Sequence, residues 1–88
     1  MNQKAEEKLT AASLFPNPVV SSFTIKLSHQ ATDVTLRITD VKGAVVHQKQ
    51  YSGITQQLQI DATAFKAGQY FVLLQTAAGT EVLKFTKL

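Results

Sequence analysis

The chain contains no cysteine and no tryptophan, and only four glycines and two prolines among its 88 residues. Without thiols there is neither a disulfide framework nor a thiolate-ligated zinc site, though many extracellular domains also lack cysteine, so the compartment stays open. Long apolar runs are missing too. The longest, Tyr70 to Leu74, is far too short to cross a bilayer, and no membrane span is expected. The opening stretch MNQKAEEKLTAAS has no apolar h-region and is no signal peptide; if the chain belongs to an exported parent, the signal lies upstream. Charge is sparse as well: nine Lys/Arg stand against six Asp/Glu, scattered singly, for a net +3. No basic stripe interleaves with aromatics, which argues against nucleic-acid binding.

Groups able to carry chemistry are equally thin. His29 and His47 lie on separate segments with no carboxylate–histidine pattern beside them, and both read as surface histidines. Ser13, Ser21, Ser22, Ser28 and Ser52 have no nucleophile-elbow context. Asp33, Asp40 and Asp61 could meet a calcium ion at one end of a sandwich, but turn-initiating and capping roles account for them. No glycine-rich phosphate loop occurs. The chain therefore reads as a non-enzyme, with no catalytic residue, metal or cofactor.

What the chain does have is strand patterning. Its 44% apolar content is enough for one small domain, which at this length buries about 60–65% of its unfolded surface. Residues 1–13 are polar, with Lys4, Glu6, Glu7 and Lys8 clustered, and read as a linker. Leu14-Phe15-Pro16-Asn17-Pro18 follows; its prolines remove two backbone donors and force extended neighbours, as in an edge strand. Phe23–Leu27 and Val34–Thr39 alternate apolar and polar, with a polar loop expected over Ser28–Asp33. Asp40-Val41-Lys42-Gly43 has the residues of a type I turn, with Gly43 free to take the left-handed conformation that closes a hairpin. A strand follows over Ala44–Gln50, with the facing of Val45 and Val46 left open by the pattern. Gly53 marks a loop, and Gln56–Ile60 is a short strand with Leu58 and Ile60 inward. Asp61–Phe65 reads as one helical turn capped by Asp61 or Thr63, with Phe65 plugging the core.

The last quarter, Phe65 to Leu88, organises the rest. Tyr70, Val72 and Leu74 share one face and Phe71 and Leu73 the other, so this strand belongs at the centre of a sheet. Gly68 stands where the entering loop needs a conformation that glycine adopts cheaply. Ala78-Gly79 is expected to form the turn, and Glu81–Lys87 returns as a strand with Leu83 and Phe85 on one face. Since the strand pattern runs to the last residue, the terminus itself is a candidate working part. In all, about seven short strands at near-regular spacing, with no long helix, predict an all-β, immunoglobulin-like antiparallel β-sandwich. The Phe65…Gly68…Tyr70 arrangement is similar to the tyrosine corner of such folds, while the absent Cys–Trp–Cys set excludes an antibody-type domain.

Three blocks also carry a family resemblance across residues 14–88. Phe15-Pro16-Asn17-Pro18 opens the domain. Ile38 to Val46 runs through Asp40 and Gly43 as a central I-x-D-x-x-G-x-x-V hairpin. Phe65 to Lys87 closes it with Gly68, Tyr70, Gly79 and the sequence Lys84-Phe85-Thr86-Lys87. In this order the blocks resemble the C-terminal sorting domain of the type IX secretion system of Bacteroidetes, the Por secretion system tail family. Thr39 stands where that family usually has an aromatic and Phe65 where it usually has leucine. The resemblance implies a signal domain (residues 14–88) behind a linker or processing region (residues 1–13), borne by an N-terminal cargo protein in the same chain. It further implies passage across the periplasm, export through the outer-membrane type IX translocon, and removal by a cysteine-type surface transpeptidase. The product would then stand at the cell surface or in the medium. Lys84, Phe85, Lys87 and Leu88 are the candidate residues facing the translocon. Two other readings stand beside it: an immunoglobulin-like accessory module binding carbohydrate or protein, with Tyr51 its only aromatic outside a clear strand, and a fibre or oligomer formed through the terminal edge.

Overall fold

Alternation of apolar and polar residues becomes strand along almost the whole chain. The computed structural model describes residues 12–88. Five strands follow in order: β1 (Ala12–Phe15), β2 (Ser22–Asp40), β3 (Val45–Asp61), β4 (Gly68–Thr76) and β5 (Gly79–Lys87). Among the described residues pairing runs from Ala12, two residues before the expected edge strand at Leu14. The linker expected over residues 1–13 lies almost wholly outside the described residues.

The register divides the two long strands into halves. The first half of β2 pairs with β1 on one side, Leu14 opposite Ile25, and with the second half of β3 on the other, Ile25 opposite Leu58. The second half of β2 pairs with the first half of β3, Leu36 opposite Lys49, and with β4, Leu36 opposite Leu74. β4 pairs in turn with β5, Tyr70 opposite Phe85. The result is a three-stranded layer (β1, β2, β3) and a four-stranded layer (β3, β2, β4, β5) that share β2 and β3. About seven short strands were expected; the segments are there, but two pairs of them are continuous. Ser28–Asp33 and the neighbourhood of Gly53, both expected as loops, run on as strand because the two polar stretches pair with one another, Ala31 opposite Thr55 and Thr32 opposite Ile54. The ladder is irregular on both sides of that crossing, and Asp33 has φ 59°, a left-handed conformation that aspartate tolerates better than most residues.

The core fills from the inward face of every strand. Phe23, Ile25 and Leu27, then Val34, Leu36 and Ile38, then Leu58 and Ile60, and finally Tyr70, Val72 and Leu74 are buried, as the alternation predicts. Val45 and Val46 are both exposed: the inward positions of early β3 are those opposite Ile38 and Val34, namely His47 and Tyr51. Val19 and Ala62 are also fully buried, although neither belongs to a patterned strand.

Each turn has a local cause. Asp40 accepts hydrogen bonds at its carboxylate from the N–H groups of Lys42 (2.9 Å) and Ala44 (3.0 Å), while Gly43 N–H donates to the Asp40 carbonyl. Gly43 takes φ +90° there, as its position after the turn requires. The segment after β3 is a hydrogen-bonded turn and not a helical one: Phe65 N–H donates to the Ala62 carbonyl at 3.0 Å. Asp61 caps it, accepting from the Thr63 N–H (3.0 Å) and hydroxyl (2.8 Å), and these bonds hold its carboxyl below its ordinary pKa. The β4–β5 hairpin turns on Ala77-Ala78, one residue earlier than expected, with Gly79 opposite Thr76 as the first residue of β5.

Candidate functional site

The three sequence blocks, far apart in the chain, meet at one end of the sandwich. Asp40 stands opposite Tyr70, and Tyr70 opposite Phe85, so one row across the sheet draws on the central and closing blocks. Two rows on, Gly68 stands opposite Lys87, and Lys87 bridges in parallel to Val19, just after the opening block. Asn17 completes the junction: its side-chain oxygen accepts from the Thr86 N–H at 3.0 Å. On either side, Val19 N–H donates to the Thr86 carbonyl (2.7 Å) and Leu88 N–H to the Val19 carbonyl (2.9 Å). The Phe15–Pro18 segment, with both of its X–Pro peptide bonds cis, therefore delivers the chain to the outer edge of β5 and seals part of it. Only Gly79 lies apart, at the far end of the β4–β5 hairpin.

Beneath this junction sits an aromatic cluster. The Phe85 ring lies 4.5 Å from Phe23 and 5.3 Å from Tyr70, and Phe65 lies 5.3 Å from Tyr70. Such pairs add stability beyond their buried area, about 0.5–1.5 kcal/mol each. The Tyr70 hydroxyl donates to the Lys66 carbonyl at 2.6 Å, four residues upstream, which is the tyrosine corner expected from Phe65, Gly68 and Tyr70. Most of the motif residues thus build the end of the fold.

The four candidate recognition residues separate by strand parity. Lys84 points out of the sandwich, and Leu88 is 65% exposed. Phe85 is core. Lys87 is only 8% exposed; its ammonium donates to the main-chain oxygens of Phe65 (3.2 Å) and Leu88 (3.3 Å). It ties the Asp61–Phe65 turn to the end of β5. On the folded domain, then, Lys84 and Leu88 are accessible, and Phe85 and Lys87 are not. Parity within Lys84-Phe85-Thr86-Lys87 was visible in the sequence, but the parallel contact with Val19 that closes over Lys87 was not. Glu81 is a further participant that pattern alone missed. It faces inward, and its carboxylate accepts from the Ala12 N–H at 3.1 Å, joining the start of β1 to β5.

The other candidates have local roles. Asp40 and Asp61 cap turns, and no group of three potential metal ligands assembles among the described residues. The His29 ring lies 2.8 Å from the Ser28 hydroxyl at the surface, and His47 lies 6.4 Å from Phe65. Tyr51 offers no flat platform to a sugar: it is half-buried within β3, packed against the core, with the Lys49 ammonium 5.1 Å from its ring centre. That burial raises the phenol pKa above its ordinary value.

A double-layered antiparallel sheet with a tyrosine corner and a first-strand extension parallel to the last strand defines the class: an immunoglobulin-like β-sandwich. Among solved structures, a DUF3244 family protein with an immunoglobulin-like β-sandwich fold from Bacteroides vulgatus superposes with a TM-score of 0.74 at 25% identity, over 89% of this chain and 85% of that one. The chain belongs to the secretion system C-terminal sorting domain family, whose profile matches residues 13–87. It is also similar to the endo-acting ulvan lyase of Formosa agariphila, 39% identical over 61 residues. That match spans 69% of this chain and 11% of the lyase. The family is a non-catalytic one, and its members carry the type IX secretion signal.

Proposed function

We propose that this chain is the folded export address of a larger secreted protein, received by the outer-membrane type IX translocon and then removed by a cysteine-type surface transpeptidase. The cargo lies N-terminal in the same polypeptide, and the route runs from periplasm to cell surface or medium. The observation that carries this reading is the match over residues 13–87, in which the opening, central and closing blocks converge on one end of the molecule. Similarity to part of an ulvan lyase, an enzyme of a polymeric substrate, is in keeping with an exported cargo. Recognition of β5 falls in this reading on Lys84 and Leu88, with Phe85 and Lys87 shaping the strand they stand on.

The test is export of a reporter. Residues 1–88 fused behind a periplasmic reporter, in a bacterium that has a type IX system, should bring it to the surface or medium, shortened by loss of the domain. The reporter alone should stay in the periplasm. Retention of the intact fusion in the periplasm would overturn the reading.

A further inference from the structure

The sequence makes β4 apolar on both faces, and the structure leaves the second face open. On the outer face of the four-stranded layer, register places Phe71 between Thr39 and Lys84, and Leu73 between Arg37 and Val82. Phe71 is 38% and Val82 62% exposed, and Val45, opposite Thr39, is exposed as well. The remaining positions are threonines and glutamines: Thr35, Gln48, Gln50, Gln69, Gln75, Thr80 and Thr86. Arg37 and Lys84 are the only charges at these paired positions, and no carboxylate is among them. The Arg37 Nε is shut off from solvent and has no hydrogen-bond partner among the described residues. Beside Phe71 and Lys84 a shallow depression opens, rimmed by Asn17, Gln69 and Thr86.

The edge beside this face is half used. Thr86 turns its N–H and C=O outward to Asn17 and Val19, and by strand period Val82 and Lys84 turn theirs the same way. Among the described residues, the only ladder partner on that side of β5 is Val19, opposite Lys87. An apolar stripe, two cations and a strand edge unpaired among the described residues at Val82 and Lys84 therefore adjoin.

We infer that this outer face, centred on Phe71, Leu73 and Val82 and flanked by Arg37 and Lys84, is where the exported domain docks on an acidic protein partner. The inference rests on the sorting function proposed above and names the surface through which it acts. Charge selects the occupant. A second copy laid on the same face would set Arg37 and Lys84 against their own kind, which is unfavourable, whereas carboxylates beside an apolar ridge complement both. A partner strand added to Val82 and Lys84 would carry its side chains onto the same face.

The test reverses the charge of the face without touching the core. Val82→Glu with Lys84→Glu, both at exposed positions, should lower surface delivery of the reporter about tenfold or more, since like-charge contacts are strongly unfavourable at an interface. A control with the same change of net charge, Lys26→Glu with Gln59→Glu at exposed positions on the outer face of the three-stranded layer, should deliver the reporter at the wild-type level. Melting of each isolated 88-residue variant verifies folding; if the reversal variant melts early, Val82→Thr with Lys84→Gln replaces it and should lower delivery in the same direction. Equal delivery by wild type and reversal variant overturns the docking face while leaving the sorting function standing. Equal loss in the control overturns it too, because net charge would then be the cause. Failure of the wild-type fusion to leave the periplasm sinks both. Sedimentation of the wild-type chain as a dimer that the reversal variant breaks would assign the face to a second copy and overturn the acidic partner.

Discussion

Gly68 is held at φ +148°, at the point where the chain leaves the tyrosine-corner turn and enters β4. A Cβ there would meet nothing within 4 Å, so any cost of a side chain is backbone strain and not collision. A β-branched residue disfavours that region most. We expect Gly68→Val to destabilise the domain by about 1–3 kcal/mol. For a domain this size each kcal/mol lowers the melting temperature by roughly 4–8 °C. An unchanged melt would mean that the loop accommodates a side chain by shifting φ. The same end of the molecule shows why Phe85 tolerates little: it touches Phe23, Tyr70 and Phe65, and its truncation to alanine would remove packing worth about 3–5 kcal/mol.

Strand β5 carries two lysines whose surroundings are opposite. Lys84 stands on the exposed face, so Lys84→Ala should change stability by no more than about 0.5 kcal/mol. Lys87 is buried, and its ammonium serves two main-chain oxygens. Lys87→Ala should cost about 1.5–3 kcal/mol, the usual range for hydrogen bonds to a charged group. Denaturant unfolding of the two single variants decides the matter: equal midpoints would mean that the Lys87 bonds are not maintained in solution. Substituting both lysines at once confuses folding with recognition. Lys84→Ala combined with Leu88→Ala is the cleaner probe of export, because both side chains lie outside the core.

Taken as a whole, the domain joins its beginning to its end. Glu81 holds the Ala12 N–H, Asn17 holds Thr86, and Val19 bridges to Lys87, so β1 and the segment after it are anchored along β5. An N-terminal cargo would consequently emerge next to the strand proposed to be read. We propose residues 1–13 as the linker that is processed, on the strength of their polar composition. Limited proteolysis should cut first ahead of Ala12 and leave a resistant fragment, since proteases need extended, unburied backbone. First cleavage within residues 20–80 would refute this. At such a low helix content, folding depends on pairing across large sequence separations, and the β1–β5 contacts are the most distant of all.

Residues with local causes were legible from the chain alone. Inward faces at Phe23–Leu27, Val34–Ile38 and Tyr70–Leu74 follow from period-two alternation, because a slip of one residue would expose each whole set. The Asp40–Gly43 turn and the Asp61 cap follow from side chains bonding main-chain donors two to four residues away. The motif blocks were likewise readable, each as a short string. Only tertiary structure decided that these blocks occupy one end, that Val19 and Ala62 are core, and that the Lys87 ammonium reaches the Phe65 carbonyl. Each of those outcomes depends on a segment more than twenty residues distant: Thr86 for Val19, Ser21 for Ala62, whose N–H donates to its carbonyl at 2.8 Å, and Phe65 for Lys87. Continuity of β2 and β3 through their polar middles was hidden for the same reason. Neither Ser28–Asp33 nor Ser52–Thr55 has a strand pattern of its own; each extends because the other supplies the hydrogen bonds that its backbone would otherwise give to water.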